Sequence, residues 1–521
     1  MKSIPSLLGS WPVNLLLTAS LGPLVVLWRN PNRIMIETTL SGILILLMIL
    51  VGLRMLLAVI FRRTLITDPV IVLIVLGGFY NNLFLIDYGT LLFWIWLAIF
   101  VLLILFLVIS PRVRQALPKA IFLFLGIMNG IVITNIVIAQ HDMWERRSAL
   151  RTILDAQYPP LQINSEVKTS EHPDIYYIIF DRYARADQLA KVYHFNNSSF
   201  LDALRKRGFQ VSGNSYSAYQ RTAHSLASSL NLNYLPALDG PSSKDWVPLY
   251  ERLRAPRLYY FLKAEGYRII TMGSWWEPTR TSAIADSNDS YFAVPESLRP
   301  MVEESILLRG LVRMGLTWLD PHKQQCARIK HKFKTLAHVK SGVKPVFVFA
   351  HFLVPHPPYV IDADGVCKTI EDAQTSSRRD NYVAQLEYTN KAVLGLIDVL
   401  MDQNPEAVIV LQSDEGPWPE IYAGEEITRF GADVTSVDWN IIAPVVLGEK
   451  MAILNAMRLP GKPFAFVGED FSPVNTFRLI LRKYFGLPLQ DLKKRNWVFV
   501  SDTSLWQFRD VQEALLGEKS R

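Results

Sequence analysis

Four short segments carry side chains that could do chemistry together. DIYYIIFD (174–181) is an apolar run rich in Ile and Tyr that ends on the carboxylate of Asp181. QRTAHSLASSLN (220–231) crowds hydroxyls behind Arg221, with Thr222 first and Ser225, Ser228 and Ser229 after it. HFLVPHPPY (351–359) sets His351 and His356 five residues apart around Pro355. QSDEGPWP (412–419) puts Asp414 beside Glu415, ahead of a glycine and behind the apolar run AVIVL. Each has an ordinary structural reading. A strand-end Asp caps a helix or makes a turn, a polar helix start is common, and a lone histidine such as His351 sits hydrogen-bonded in a core. That reading suits His356 less, because a Pro-rich loop holds it. Adjacent carboxylates repel unless a cation or solvent compensates.

Each segment alone is a weak signal, and one chemistry open to such groups is metal-assisted. A divalent cation held by carboxylates lowers the pKa of a bound hydroxyl, which supplies a nucleophile near neutral pH. It also offsets charge on a phosphoryl oxygen in the transition state. Imidazoles can bind the remaining oxygens or protonate a leaving group.

Such groups must be positioned by a sheet. Strand-like runs fall at 174–181, 268–273, 345–353, 407–414 and 451–460, and helical patterns lie between them, notably 200–209, 379–402 and 474–485. Strands alternating with helices imply a mostly parallel sheet covered on both faces, with ligands at the carboxyl ends of the strands. Asp181, His351 and Asp414 fall at or near such ends. Cys326 and Cys367 show no CxxC spacing, which excludes a zinc ribbon or redox motif and leaves free thiols and a disulfide both open.

The N-terminal part is of another kind. Residues 1–140 contain nine Lys/Arg and three acids, so +6 of the net charge of +7 lies there. That basicity is loop charge around apolar spans, not a nucleic-acid footprint. Spans are expected at 11–28, 38–61, 69–86, 88–110 and 118–139, framed by interface residues such as Trp11 and Trp28. Residues 141–172 read as a linker with an amphipathic helix around 143–156. A cleaved signal peptide over 1–25 fits poorly, with one basic residue, no A-x-A site and more spans behind it. The expected architecture is an N-terminal transmembrane α-helical bundle (1–140), the linker, and a soluble α/β domain (173–521) with a mostly parallel sheet flanked by helices.

The order of motifs resembles the alkaline phosphatase/sulfatase superfamily, and in particular its membrane-bound branch of lipoteichoic acid synthases and phosphoethanolamine transferases. The residues that carry it are PDIYYIIFDRY, RTAHSLASSL, HFLVPHPP, SDEG and the tail MAILNAMRLPG with FSPVNTFRLI, over roughly 170–490. The resemblance implies that Asp181, Thr222, Asp414 and Glu415 hold a divalent cation, that Thr222 is the nucleophile, and that His351, His356 and Arg221 bind substrate. It implies a transferase that moves a phospho-alcohol group, of phosphoglycerol or phosphoethanolamine type, between lipid or envelope-glycan molecules at the cell membrane. A hydrolase of the same fold and an inactive envelope scaffold or sensor are the alternatives.

The chain departs from the family in three places. Glu415 stands where most relatives have His, and an all-oxygen ligand set favours Mg²⁺ or Mn²⁺ over Zn²⁺. Arg182 stands where many sulfatases have a second acid. Neither Cys326 nor Cys367 lies in the C/S-x-P-x-R that sulfatases convert to formylglycine, and Thr222 occupies that place, which argues against sulfate-ester hydrolysis.

With five spans and the N-terminus inside, Lys2, Arg62, Arg63, Arg112, Arg114 and Lys119 are cytoplasmic and residues 173–521 are extracytoplasmic. Single cysteines introduced at Ser341 and Gln115 check this in intact cells with an impermeant thiol reagent. Ser341→Cys should label and Gln115→Cys should be protected.

Overall fold

The computed structural model describes residues 10–61, 69–72, 74–79, 98, 102, 106, 110–161, 172–238, 244–291, 294–295, 297–303, 305–340, 342–422, 437–439, 441–461, 470–499, 501 and 504–517. They fall into two compact units, residues 1–145 with 294–321, and residues 146–293 with 322–521.

In the first unit, helices Trp11–Arg29, Ile36–Phe61 and Pro111–Gln157 are long and apolar enough to cross a membrane. Of the expected span 69–86, residues 69–72 and 74–79 are helical, with a π-turn over Val75–Phe79. The span 88–110 lies almost wholly outside the described residues. A polar clasp joins the first and third helices. Asn129 Nδ2 donates to Leu17 O (3.0 Å), Ser20 Oγ donates to Asn129 Oδ1 (2.8 Å), and Asn14 Nδ2 donates to Pro118 O (3.2 Å). With little hydrophobic drive between helices in lipid, such bonds fix which faces meet.

Two features were not visible in the sequence pattern. The helix Pro111–Gln157 runs unbroken through residue 140, where the linker was expected, because no Pro or Gly interrupts 131–157. Residues 294–321 belong with the apolar helices although they lie inside the soluble half of the chain.

The second unit is built on a seven-stranded sheet. Its strands are β1 (Ile175–Phe180), β2 (Gln210–Val211), β3 (Arg268–Met272), β4 (Ser287–Asn288), β5 (Val346–Phe352), β6 (Val408–Gln412) and β7 (Asn455–Arg458), in the order β2-β7-β6-β1-β5-β3-β4. The pairs among β6, β1, β5, β3 and β4 are parallel, while β7 and β2 run antiparallel at one edge. Every residue of β1 is buried, as both-face coverage requires. Tyr176, Ile178 and Phe180 face a core shared with helices Pro321–Leu336 and Arg378–Gln403. Tyr177, on the opposite face, packs edge-on against Phe477 of helix Thr476–Phe485.

The end of the long helix docks within this unit. Leu150, Leu154 and Tyr158, four residues apart, are buried. Arg147 makes a two-pronged pair with Asp245 at 2.6 and 3.0 Å, and Arg151 another with Glu251 at 2.8 and 2.5 Å.

Cys326, buried on helix Pro321–Leu336, is joined to Cys367 by a disulfide across 41 residues of sequence. A bond closing a loop of this length stabilises the fold by about 4 kcal/mol, chiefly by restricting the unfolded chain. Cys326→Ser with Cys367→Ser should lower the thermal unfolding midpoint by several degrees, and the unmodified chain, denatured without reductant, should offer no alkylatable thiol.

Candidate active site

The strand order puts the carboxyl ends of β6, β1 and β5 side by side, and each end delivers one group. Asp181 directly follows β1, and its backbone N–H donates to Phe352 O (2.9 Å), which extends the β1–β5 ladder. His351 lies in β5 opposite Ile179. Asp414 follows β6 by two residues. One potential ligand atom from each of Asp181, His351 and Asp414 lies within 4.8 Å of the others, and all three residues are buried.

These atoms fit a divalent cation. Both carboxylate oxygens of Asp414, Oδ1 of Asp181 and Nε2 of His351 are buried without a hydrogen-bond partner among the described residues, an arrangement that is costly unless something charged meets them. Burial and the neighbouring Glu415 push Asp181 up to about 7, and burial and Asp181 push Asp414 well above the usual carboxylate range. Burial pulls His351 down to about 4, so its imidazole is neutral near pH 7, the form that ligates.

The ring of His351 is fixed from behind. Its Nδ1 lies 2.8 Å from Thr279 Oγ1, which is 3.0 Å from Ser274 Oγ. When Nδ1–H donates to Thr279, the Nε2 lone pair faces Asp181 Oδ2 at 3.5 Å. Thr279 comes close because Gly273 ends β3 where a Cβ would lie 2.2 Å from Thr279 O.

Glu415, which the resemblance made a ligand, has one of its two oxygens committed to basic side chains. Its Oε1 is 2.8 Å from Lys450 Nζ and 3.1 Å from Arg182 Nε, all three side chains being buried. Burial alone would raise Glu415, but Lys450, Arg182 and Arg221 together hold it below its ordinary value. Only Oε2 has no such partner among the described residues. The backbone enforces this pairing. Gly416 N–H donates to Lys450 O (2.8 Å), and a Cβ on Gly416 would sit 2.4 Å from Glu449 O. Arg182 takes a left-handed φ of 62°, a conformation that costs a non-glycine residue of order 1 kcal/mol. It is held there by Tyr382 Oη donating to its carbonyl (2.8 Å) and by Tyr183 N–H donating to Ser413 Oγ (2.9 Å).

Thr222 opens helix Thr222–Leu230, with Arg221 as its N-cap. Its half-exposed hydroxyl approaches Asp414 and favours that carboxylate's charged form, short of a well-aligned hydrogen bond. The other hydroxyls of the segment are placed less favourably. Ser225 Oγ donates to Tyr219 O, Ser228 Oγ donates to Ser225 O, and Ser229 and Ser217 are buried. Arg221 lies over the Trp418 ring at 4.6 Å. His356, half-buried, uses Nδ1–H on the carbonyl of Pro357. Burial and the charge of Arg182 pull it well below 6.5, so Nε2 is an acceptor. It stands outside the Asp181–His351–Asp414 group.

Lys450 and Thr279 escaped the sequence reading. Lys450 had a signal, a lysine set with Glu449 inside the apolar run VVLGEKMAIL, a place where a cation is buried only when paired. Thr279 had none, because its role depends on the turn after β3.

Two buried carboxylates and an imidazole thus lie together at the carboxyl edge of a parallel sheet, with the hydroxyl of Thr222 at a helix N-terminus near Asp414, the arrangement of an α/β enzyme site. The chain belongs to the alkaline phosphatase/sulfatase superfamily, since residues 173–432 match the Sulfatase family model. With its apolar helices it is a membrane protein of that superfamily.

Solved structures with similar folds include the C-terminal periplasmic domain of EcEptC from Escherichia coli in complex with Zn, at 15% identity and TM-score 0.41, covering 68% of this chain and 96% of that one. The lipoteichoic acid synthase LtaP from Listeria monocytogenes aligns at 12% identity and TM-score 0.38, covering 69% and 84%. The lipooligosaccharide phosphoethanolamine transferase A from Neisseria meningitidis aligns at 13% identity and TM-score 0.37, covering 72% and 69%. No curated protein sequence matches the chain.

Titration calorimetry on the purified protein should detect one divalent ion per chain, and Asp414→Asn should abolish its binding. Thr279→Val, which keeps the shape but frees the His351 ring, should weaken it by about 10–100-fold. Because Asp181 titrates near 7, affinity should fall as the pH drops below that value, by about tenfold per unit for each competing proton.

Proposed function

We propose that the protein is a membrane-anchored, metal-dependent transferase that moves a phospho-alcohol group between lipid or envelope-glycan molecules through a covalent phospho-threonine on Thr222. The observation that carries this reading is the position of Thr222. It is the half-exposed hydroxyl at a helix N-terminus, beside Asp414 of the carboxylate–imidazole group.

Asp181, Asp414 and His351 would hold the cation, with Thr222 and Glu415 Oε2 as further oxygen donors. The expectation of Mg²⁺ or Mn²⁺ rested on an all-oxygen set. A nitrogen from His351 makes the set mixed, and this favours Mn²⁺ over Mg²⁺ and leaves Zn²⁺ a competitor. Bound there, the ion supplies charge that acidifies a hydroxyl and offsets phosphoryl oxygen charge.

The chain's own groups do the rest. Thr222 Oγ bonds to phosphorus as the bond from phosphorus to the donor alcohol oxygen breaks, and its proton passes to the departing alkoxide. In the second half an acceptor hydroxyl bonds to phosphorus, the phosphorus–Thr222 bond breaks, and the acceptor's proton returns to Thr222. The neutral His356, with Nδ1–H fixed on Pro357 O, offers Nε2 for these transfers. Backbone N–H groups at the start of helix Thr222–Leu230 favour the anion. Arg221 is the group proposed to bind the substrate's phosphoryl oxygens, whereas the resemblance's other two candidates are turned to other work, His351 Nε2 to the cation and His356 Nε2 to the proton transfers.

Water in place of the acceptor alcohol would make the same site a phosphodiesterase, and loss of turnover would make it a scaffold. An extracytoplasmic site is supported by the Lys/Arg bias of the apolar half and by the Cys326–Cys367 disulfide, which persists in oxidising compartments.

Thr222→Ala should lower turnover of a lipid phosphodiester by several orders of magnitude, while Thr222→Ser should keep part of it. Mass spectrometry after exposure to donor lipid should find the phospho-alcohol adduct on Thr222. An adduct on Ser225, or normal turnover by Thr222→Ala, would overturn the assignment.

A further inference from the structure

Residues 294–321 leave the catalytic unit in sequence, become part of the apolar unit, and return. The segment is fitted to the membrane helices. Ser297 Oγ donates to Thr38 O at 3.0 Å. Gly42, within two turns of the start of helix Ile36–Phe61, makes room for it, because a Cβ there would lie 2.4 Å from Ser297 Oγ and 3.3 Å from Leu298 Cγ. Leu298 and Met301 are buried in one apolar cluster with Leu15, Ala19, Leu50 and Val75. The following helix, Ile306–Arg313, is capped by Ser305 Oγ accepting from Leu308 N (2.9 Å), and it packs against the π-turn Val75–Phe79.

The far end of the segment faces outward. Gly315, at φ 101°, stops the helix, with Leu316 N–H on Leu311 O and Gly315 N–H on Val312 O. The turn displays Met314, Leu316 and Trp318, which are 58%, 39% and 64% exposed. Arg309 and Arg313, one helical turn apart, are exposed beside them. In water such a cluster is a liability. In the unit that holds the membrane helices it matches an interfacial element, with apolar and Trp side chains at the head-group boundary and Arg on anionic lipid.

We propose that residues 305–319 form an interfacial hook that seats Met314, Leu316 and Trp318 in the bilayer boundary and sets Arg309 and Arg313 on anionic phospholipid head groups. The catalytic unit is thereby tied to the membrane at a second place in its sequence besides the junction at residue 146. This holds whether or not the proposed phosphoryl transfer is the reaction.

The test uses the full chain, whose two cysteines are joined, reconstituted in vesicles of phosphatidylcholine with phosphatidylglycerol. Met314→Cys, Trp318→Cys and, as a reference in the catalytic unit, the fully exposed Val343→Cys each carry a fluorophore. The labels at 314 and 318 should be shielded from a water-soluble quencher and quenched most by nitroxide lipids about 5–10 Å below the head groups. The label at 343 should behave oppositely. Adding Arg309→Gln with Arg313→Gln, or omitting phosphatidylglycerol, should reduce the lipid quenching at 318. Water accessibility at 314 and 318 equal to that at 343 overturns the proposal. So does shielding from water without lipid quenching, which would mean a second copy or another protein segment covers the turn.

Discussion

Three carboxylates buried within one site, Asp181, Asp414 and Glu415, set the terms for the catalytic unit. Carboxylates in a low-dielectric interior must each be neutralised by a proton, a cation or a fixed positive side chain. The chain divides the problem. Glu415 is met by Lys450 and Arg182 and stays charged, whereas Asp181 and Asp414 have no such partner among the described residues, and burial pushes both upward, helped by Glu415 at Asp181 and by Asp181 at Asp414. That asymmetry leaves one pair of acids suited to a cation and gives the third, through Oε1, two basic groups as counter-ions.

Holding these groups depends on backbone more than on side-chain packing. Parallel pairing of β1 with both β5 and β6 puts three strand ends next to one another. Gly416 allows the turn after β6 to touch the carbonyls of Glu449 and Lys450, and Gly273 allows Thr279 to reach His351. The left-handed Arg182 is clamped by hydrogen bonds from outside its own strand. None of these devices contributes much stability alone. Each removes a freedom that would let a ligand atom drift by an ångström, the scale on which a metal or a nucleophile loses its geometry.

Apolar sequence is used in two ways in this chain. In β1, β5 and β6 it is buried by helices on both faces. In Trp11–Arg29, Ile36–Phe61 and Pro111–Gln157 it is long enough to cross a bilayer. The segment 294–321 packs with those long helices without being long enough to span, because its apolar residues find partners at Gly42 and in the cluster around Leu15. Its short helices, each under nine residues, carry too little periodicity to announce this.

The sequence by itself determined five of the seven strands, the mostly parallel character of the sheet and the four places where chemistry could sit, because hydrophobic period and residue type are local properties. Asp181, Thr222, His351 and Asp414 could be named for that reason. The two-residue β2 and β4 and the antiparallel direction of β7 emerged only in the folded sheet. Which groups meet was decided by tertiary structure. Thr279 reaches His351 across 72 residues, and Lys450 reaches Glu415 from a helix 35 positions away. Glu415 illustrates the difference. Its place beside Asp414 suggested a ligand, but a neighbouring side chain points wherever its turn sends it, and the turn fixed by Gly416 sends Oε1 to Lys450. A carboxylate's role depends on the charge that faces it, and only the folded chain brings that charge into position.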